Sequence, residues 1–353
     1  MIEERISYGL GLDIDSENFQ ASLSSRNAEG EIKELFNRKY SNTLIGFKAI
    51  LKRLKSLFKE SNQELQIAME VTGVYHEEIL QFLHDQGYHV SVLLAKRMKH
   101  YFGYLGKRSK TDPIDAKAIS QLACREKLAA WKPLNGEILE IRNLFRHRKS
   151  LIGVKNGYTN RLHAAERTTA KTNEIERSLK KLIKGVEKEI DLIEQMAINK
   201  AKENDSFYEK LKLISSSITG AAIVTVLTIV AETNGFLEFR SIKQLESYAG
   251  FDVVENKSGK YEGKTRISKM GNVHLRTAVY MPSLTIIRWN YQPFYNLYER
   301  VNLRHGWKIR NKGLVAVQRK LLGMIYTLWK KEEAFDKNYY KRHQKNMPAL
   351  QPT

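Results

Sequence analysis

The decapeptide ISYGLGLDID, Ile6 to Asp15, decides how the first third of this chain folds. Apolar residues and glycines run without interruption and end in acids, which reads as a buried strand with carboxylates at its end. The next two runs, NFQASLSSRN (18–27) and IKELFNRKYS (32–41), have strand character and are joined by a turn signal at Glu29 and Gly30. Three strands in succession predict an antiparallel meander. Beyond them the pattern changes. TLIGFKAILKRLKSLFKE has apolar residues at helical spacing, LQIAMEVTG is a short apolar strand ending in an acid, and YHEEILQFLHDQG is a helix closed by Gly87. YHVSVLLA is a fifth strand, and a helix starts in TDPIDAKAISQLACRE. A meander followed by alternating helix and strand predicts a mixed α/β sheet.

Composition narrows the partners. The chain has 353 residues, 59 Lys and Arg against 39 Asp and Glu, and a formal net charge of +20. With 42% hydrophobic residues it can bury real cores. So large a positive excess on a folded protein favours a polyanion, nucleic acid above all. An anionic membrane surface fits less well, because no basic helix carries a clean apolar face. A single cysteine, Cys124, excludes a disulfide framework or a Cys-based zinc site within one chain and suits a reducing cytoplasm. MIEERISYGLGLDID lacks a basic region followed by an apolar run, so no signal peptide is expected. The uncharged run LISSSITGAAIVTVLTIVA, Leu213 to Ala231, is nearly long enough to span a bilayer but is rich in Ser, Thr, Gly and Ala. It is expected to be a buried helix with a polar start.

Four blocks follow: an α/β domain over 1–130, a helical segment over 131–206, a mainly helical domain over 207–335 and a polar tail over 336–353. In the second block Leu179, Leu182, Val186, Ile190 and Ile193 recur at three- and four-residue intervals, a coiled-coil-like pattern. It predicts a long helix packed on its own domain or helical arms that pair with another copy.

Four acids stand out by position. Asp13 lies near the end of the first strand, where Asp15 is its rival, and Glu70 ends the fourth. Asp112 and Asp115 open a helix three residues apart, on one face. The carboxyl ends of neighbouring parallel strands share one edge of a sheet. Four carboxylates converging there repel unless a cation is bound, and hard oxygen ligands select Mg2+ or Mn2+. The plain alternative is structural: Asp112 as N-cap ahead of Pro113, with Asp115 facing the helix dipole.

The stretch SGKYEGKTRISKMGN, from Ser258, combines a hydroxyl with glycines and cations. Gly259 and Gly263 would let backbone approach a phosphate, and Lys264, Arg266 and Lys269 would neutralise its oxygens, with Arg276 one turn into the next helix. An ordinary basic surface loop is the alternative. In KRMKHYFGYLGKRSK (96–110), cations including Lys107, Arg108 and Lys110 interleave with Tyr101, Phe102 and Tyr104, a mixture suited to phosphates and bases. Arg142, Arg146, Arg148 and Lys149 form a further candidate backbone-binding face.

The strand-rich block resembles a ribonuclease-H-like fold of the RuvC type. GLDID, AMEVTG and SKTDPIDAKAI, then YAGF, KSG and RISKMGNVHLR, resemble in order the two signatures of the DEDD transposases of insertion sequence family 110, which includes bridge-RNA-guided recombinases. The resemblance spans nearly the whole chain. It implies a metal site on Asp13, Glu70, Asp112 and Asp115, holding Mg2+ or Mn2+. It implies Ser258 as the nucleophile that joins DNA, with Ser268 as the runner-up. It also implies double-stranded DNA (element ends and target) and a structured guide RNA as partners. The protein would be a homo-oligomer, dimer or tetramer, whose active site draws its two domains from different subunits. Two departures are visible: the run ISSSITGAA has Gly220 alone where relatives often carry a glycine-rich hairpin, and no proline lies between Gly250 and Ser258. A related site-specific invertase without an RNA guide, a water-using metal nuclease and a non-enzymatic nucleic-acid-binding protein are the other readings of the same residues.

Overall fold

The computed structural model describes residues 7–58, 65–71, 73–106, 111–133, 135–169, 171–255, 257–258, 261–263, 265–304, 310–336 and 338. The chain divides into two compact units, 1–133 and 134–353.

The first unit is built on the mixed sheet that the sequence predicts. Strands β1 (Ser7–Ile14), β2 (Asn18–Arg26) and β3 (Ile32–Ser41) form the meander, and β4 (Leu65–Glu70) and β5 (His89–Leu93) add to it in the order β3-β2-β1-β4-β5. β1 pairs antiparallel with β2 and parallel with β4, and β4 pairs parallel with β5. Helices α1 (Leu44–Leu57) and α2 (Glu77–Asp85) cover one face. There Leu10 and Leu12 of β1 and Ile67 and Met69 of β4 are fully buried against Phe47, Ile50, Leu54, Ile79 and Leu83. Short helix α3 (Ala95–Tyr104) and α4 (Asp112–Arg125) lie on the other side.

On that second face the middle of β1 offers no side chains to pack. Side chains alternate along a strand, so Gly9, Gly11 and Asp13 share the face opposite Leu10 and Leu12. A Cβ on Gly11 would stand 2.2 Å from the Ala116 carbonyl oxygen, and one on Gly9 would stand 2.4 Å from that of Ser120. α4 thus lies backbone to backbone on β1. The contact is completed by small polar groups: Ser24 and Ser120 share a hydrogen bond of 2.8 Å, and the Cys124 thiol donates to the Ser24 carbonyl at 3.1 Å. Burial pushes that thiol up to about 11, so Cys124 is inert packing rather than a nucleophile.

The second unit begins with α5 (Gly136–Arg167) and α6 (Asn173–Lys202). Ion pairs Lys200–Glu140 at 3.2 Å, Arg148–Glu194 at 2.7 Å and Lys155–Glu187 at 3.5 Å match the start of one helix to the end of the other, so the two run antiparallel as a hairpin. Leu179 and Ile190 are buried in it, whereas Leu182 is 43% exposed. The uncharged run is not one helix, as its composition suggests. It divides into α7 (Asp205–Ser217) and α8 (Ile223–Glu232), because Gly220 takes a left-handed φ of 89° between them. α8 is largely apolar and buries Val226, Leu227, Ile229, Val230 and Ala231 in the core. Among the described residues no helix is long and apolar enough to cross a membrane. α9 (Ile242–Tyr248) precedes two small ribbons, β6 (Val253–Val254) with β9 (Arg266–Ile267) and β7 (Lys257–Ser258) with β8 (Tyr261–Glu262). Helices α10 (Val273–Arg288), α11 (Phe294–Arg304) and α12 (Arg310–Lys331) close the unit.

The β1–α4 contact makes a sharp prediction. Gly11→Ala forces two backbones apart and should cost at least about 2 kcal/mol in urea denaturation. Gly103→Ala, in a helix with nothing within 4 Å of the added methyl, should be neutral or stabilising. Equal effects of the two would refute the role given to Gly11.

Candidate active site

The close approach of α4 delivers its acids. Gly9 lies under Ser120 and Cys124, and Gly11 under Ala116 and Ser120, so moving along β1 toward Asp13 leads to the first turn of α4. Asp112 and Asp115 stand there, after Thr111, which occupies the N-cap position expected for Asp112. Asp13 follows Leu12, whose partner on β4 is Met69, and Glu70 follows Met69. The four acids therefore come from β1, β4 and α4 to line one cavity of about 360 Å³. Asp115 is 4% exposed, while Asp112 is open to solvent. Asp15, the rival of Asp13, lines the same cavity but has its carboxylate committed to backbone. Asp15 Oδ1 accepts the backbone N–H groups of Glu17 and Asn18, both at 2.7 Å, and these bonds hold its pKa below the usual carboxylate range. Asp15 closes the β1–β2 turn.

Sequence reasoning missed one cation. Asp13 is registered opposite Gln20 on β2, and Gln20 opposite Lys39 on β3. Residues directly opposite share a face, so Lys39 belongs to the same row and lines the same cavity. The signal lay in strand pairing, which no local motif reveals. Asn37 reinforces the arrangement by donating to the Pro113 carbonyl at 2.9 Å, which ties β3 to the start of α4.

The donor set fits a hard divalent cation in kind, being all carboxylate oxygen. Among the described residues no three of these groups are drawn together into a closed cage.

Ser258 lies in the second unit, exposed, on the β7–β8 ribbon opposite Tyr261. Next to the separate β6–β9 ribbon, Ser268 N–H donates to Asp252 O at 2.8 Å, Lys269 N–H to Gly250 O at 3.0 Å and Asn272 N–H to Tyr248 O at 2.7 Å. The Ser268 hydroxyl donates to Gly250 O and accepts from Met270 N–H, so it is committed to the loop. Arg266 and Lys269 are exposed. Lys107, Arg108, Lys110 and Lys264 lie outside the described residues, as do Gly259 and Lys260 of the glycine-rich stretch. In the aromatic segment, Tyr101 and Phe102 pack on the α4 side of the sheet and Tyr104 is 74% exposed.

Candidate nucleic-acid contacts also bind the protein itself, Arg148 among them through Glu194. Arg276 donates to Ala249 O at 2.5 Å. Arg146 makes a two-nitrogen contact with Glu232, at 2.9 Å for each bond. Glu232 ends the uncharged run, its side chain 1% exposed, and also accepts from Asn272 Nδ2 at 2.8 Å. Burial pushes its carboxyl up, but the bonds from Arg146 and Asn272 outweigh burial and leave the pKa below its ordinary value.

Residues 10–169 match a family described as Transposase, of the IS110 DEDD type, and residues 213–299 match the family described as Transposase IS116/IS110/IS902. With a buried mixed sheet bearing the acids in the first match and the serine ribbon in the second, the chain belongs to the IS110 family of transposases. It is similar to the pilin gene-inverting protein of Moraxella bovis, 23% identical over 336 residues that cover 94% of this chain and 98% of the relative. The corresponding protein of Moraxella lacunata is 22% identical over the same lengths. Among solved structures it is similar to T. thermophilus RuvC in complex with Holliday junction substrate, at 10% identity, 32% of this chain, 90% of that one and a TM-score of 0.25. At that score the likeness carries no weight.

Two measurements check the site. Mn2+ titration should show binding weakened more than about tenfold by Asp115→Asn and tightened about threefold by Lys39→Gln, as expected for loss of one exposed cation. Unchanged binding in Asp115→Asn would remove that residue from the site. Glu232→Gln should cost about 2 kcal/mol at neutral pH. The carboxyl's pKa is lowered by folding, so its contribution is full above 4.5, the ordinary value, and disappears as pH falls through the folded pKa. The stability gap between variant and wild type should therefore close below pH 4.5; a gap that widens there would contradict the assignment.

Proposed function

We propose that this transposase is a DNA recombinase that cuts and rejoins strands through a serine-linked intermediate. The observation that carries the reading is the convergence of Asp13, Glu70, Asp112 and Asp115 from three elements on one cavity. On this reading the first unit is a RuvC-like, ribonuclease-H-like domain, and the acids hold Mg2+ or Mn2+. When bound, such a cation neutralises charge at the scissile phosphate and lowers the pKa of a coordinated hydroxyl. Ser258, exposed on the β7–β8 ribbon, supplies the nucleophile. Its oxygen forms a bond to phosphorus as the bond to a deoxyribose oxygen breaks. The serine proton is released and the departing sugar oxygen takes one up. The phosphoserine ester conserves the energy of the broken bond, so rejoining needs no ATP.

The partners on this reading are double-stranded DNA, as element ends and target, and a structured bridge RNA. The assembly is a homo-oligomer, dimer or tetramer, with coiled-coil contacts through the α5–α6 hairpin. The outward face of α6, where Ile175, Leu182, Leu192 and Met196 are each more than 40% exposed, supports that role. The pilin-inverting relatives favour a second reading, site-specific inversion with the same chemistry and no RNA.

A covalent trap tests the proposal. Protein, its flanking DNA, Mg2+ and RNA transcribed from the flanks are combined and resolved on denaturing gels. The expected result is a protein–DNA band in wild type, absent in Ser258→Ala and in Asp115→Ala. Cleavage without a covalent band would show a water-using nuclease. A band formed equally well without RNA would favour the invertase.

A further inference from the structure

The first unit exposes large apolar side chains at the edge that bears the acids. β1 and β3 are each antiparallel to β2, and β4 and β5 follow β1, so these four strands end at one edge of the sheet. Leu44 and Ile45 come just after the end of β3, Val74 and Tyr75 after β4, and Leu94 after β5, and all five are exposed, Ile45 to 81% and Tyr75 to 50%. Exposed apolar residues scattered singly need no explanation, but a group of them on one edge marks a surface with a partner. Asn42 joins this rim to the acid cavity. Its Nδ2 donates to the Asp15 carbonyl at 2.9 Å and to the Tyr75 carbonyl at 3.0 Å. Two oxygens bonded to one nitrogen stand no more than about 6 Å apart, and Asp15 lines the cavity beside Asp13, Glu70, Asp112 and Asp115.

The backbone under Tyr75 is fixed on both sides. Glu77 N–H donates to Val74 O at 3.1 Å and Leu80 N–H to His76 O at 3.0 Å, and His76 is itself buried. Tyr75 thus presents a half-exposed ring from a bonded turn, and a ring held that way loses little freedom when it binds. The chemistry of the rim selects what it takes. A strand that places one phosphate in the acid cavity has to carry the neighbouring nucleotides across the rim. Their phosphates would be served by cations, whereas Leu44, Ile45, Val74 and Tyr75 offer uncharged surface. The face of a nucleobase matches that surface, and an aromatic ring stacks on any base.

We infer that Tyr75, with Val74 and Ile45 beside it, is a stacking platform for an unpaired nucleobase next to the phosphate that the acid cavity takes. The rim and its tie to the cavity follow from the structure, and the identity of the ligand rests on the recombinase reading. Asn42 is the positioning residue, since one amide nitrogen sets the Tyr75 backbone against the β1–β2 turn. A base held on the ring fixes the strand on one side of the scissile phosphate and favours DNA that is already unpaired there.

The experiment measures DNA binding by fluorescence anisotropy in Mg2+, with the full chain carrying Ser258→Ala so that no serine link forms. The probes are a short duplex with a central unpaired stretch and the fully paired duplex of the same length. Adding Tyr75→Ala should weaken binding to the unpaired probe about tenfold, the loss of one stacked base, and leave the paired probe unchanged. The slope of log K against log salt should not move, because no charge is lost. Tyr75→Phe and Tyr75→Trp should keep the parent affinity, which separates the loss of a ring from a disturbed turn. Trp289→Ala, which removes a ring 72% exposed in the second unit, is the control. Unchanged binding in Tyr75→Ala would overturn the proposal, as would an equal loss on the paired probe, an equal loss in Trp289→Ala, or a loss in Tyr75→Phe as large as that in Tyr75→Ala. So would a change of oligomeric state in Tyr75→Ala with binding intact, which would show that a second copy covers the rim. A parent chain that binds neither probe would strike the recombinase reading itself, whereas a missing covalent band with ring-dependent binding intact would leave the platform standing.

Discussion

The first unit depends on one contact, the backbone of α4 lying directly on the backbone of β1. Glycine at positions 9 and 11 permits it, since any larger side chain would meet a carbonyl oxygen or an amide at under 3 Å. Because the strand alternates, the residue after the two glycines on that face is Asp13. The same alternation that removes side chains from the helix contact therefore puts a carboxylate at its end, beside the first turn of α4. Structural and chemical requirements are met by one short sequence, and neither set of residues is interchangeable with its neighbours.

Charge is handled differently in the two units. The first brings Asp13, Glu70, Asp112 and Asp115 to one cavity, with Lys39 across the row. The second gathers cations around Glu232, which burial alone would have neutralised. Its hydrogen bonds from Arg146 and Asn272 hold its pKa below the ordinary value, and removing either partner would leave a buried charge uncompensated.

Much of this was legible in the sequence, for local reasons. Period-two and helical patterns placed β1 to β5 and the helices between them, and the positions of Asp13, Glu70, Asp112 and Asp115 relative to those elements predicted their meeting. Long-range partners were not legible. Lys39 joins the site through two strand registers, and Arg146 meets a carboxylate 86 residues away, so composition alone made it a DNA contact. The break at Gly220 was missed because an uninterrupted apolar run reads as one helix; only the left-handed φ reveals the turn. The backbone hydrogen bonds that engage Asp15 and Ser268 have no signature in the sequence.

The central claim is that the β1–α4 contact assembles a cation site from four acids. Anomalous diffraction from crystals soaked in Mn2+ tests it most directly. The account predicts a peak in the cavity, with Asp13, Glu70 and Asp115 among its ligands. Mn2+ bound elsewhere at high occupancy, with this cavity empty, would contradict it.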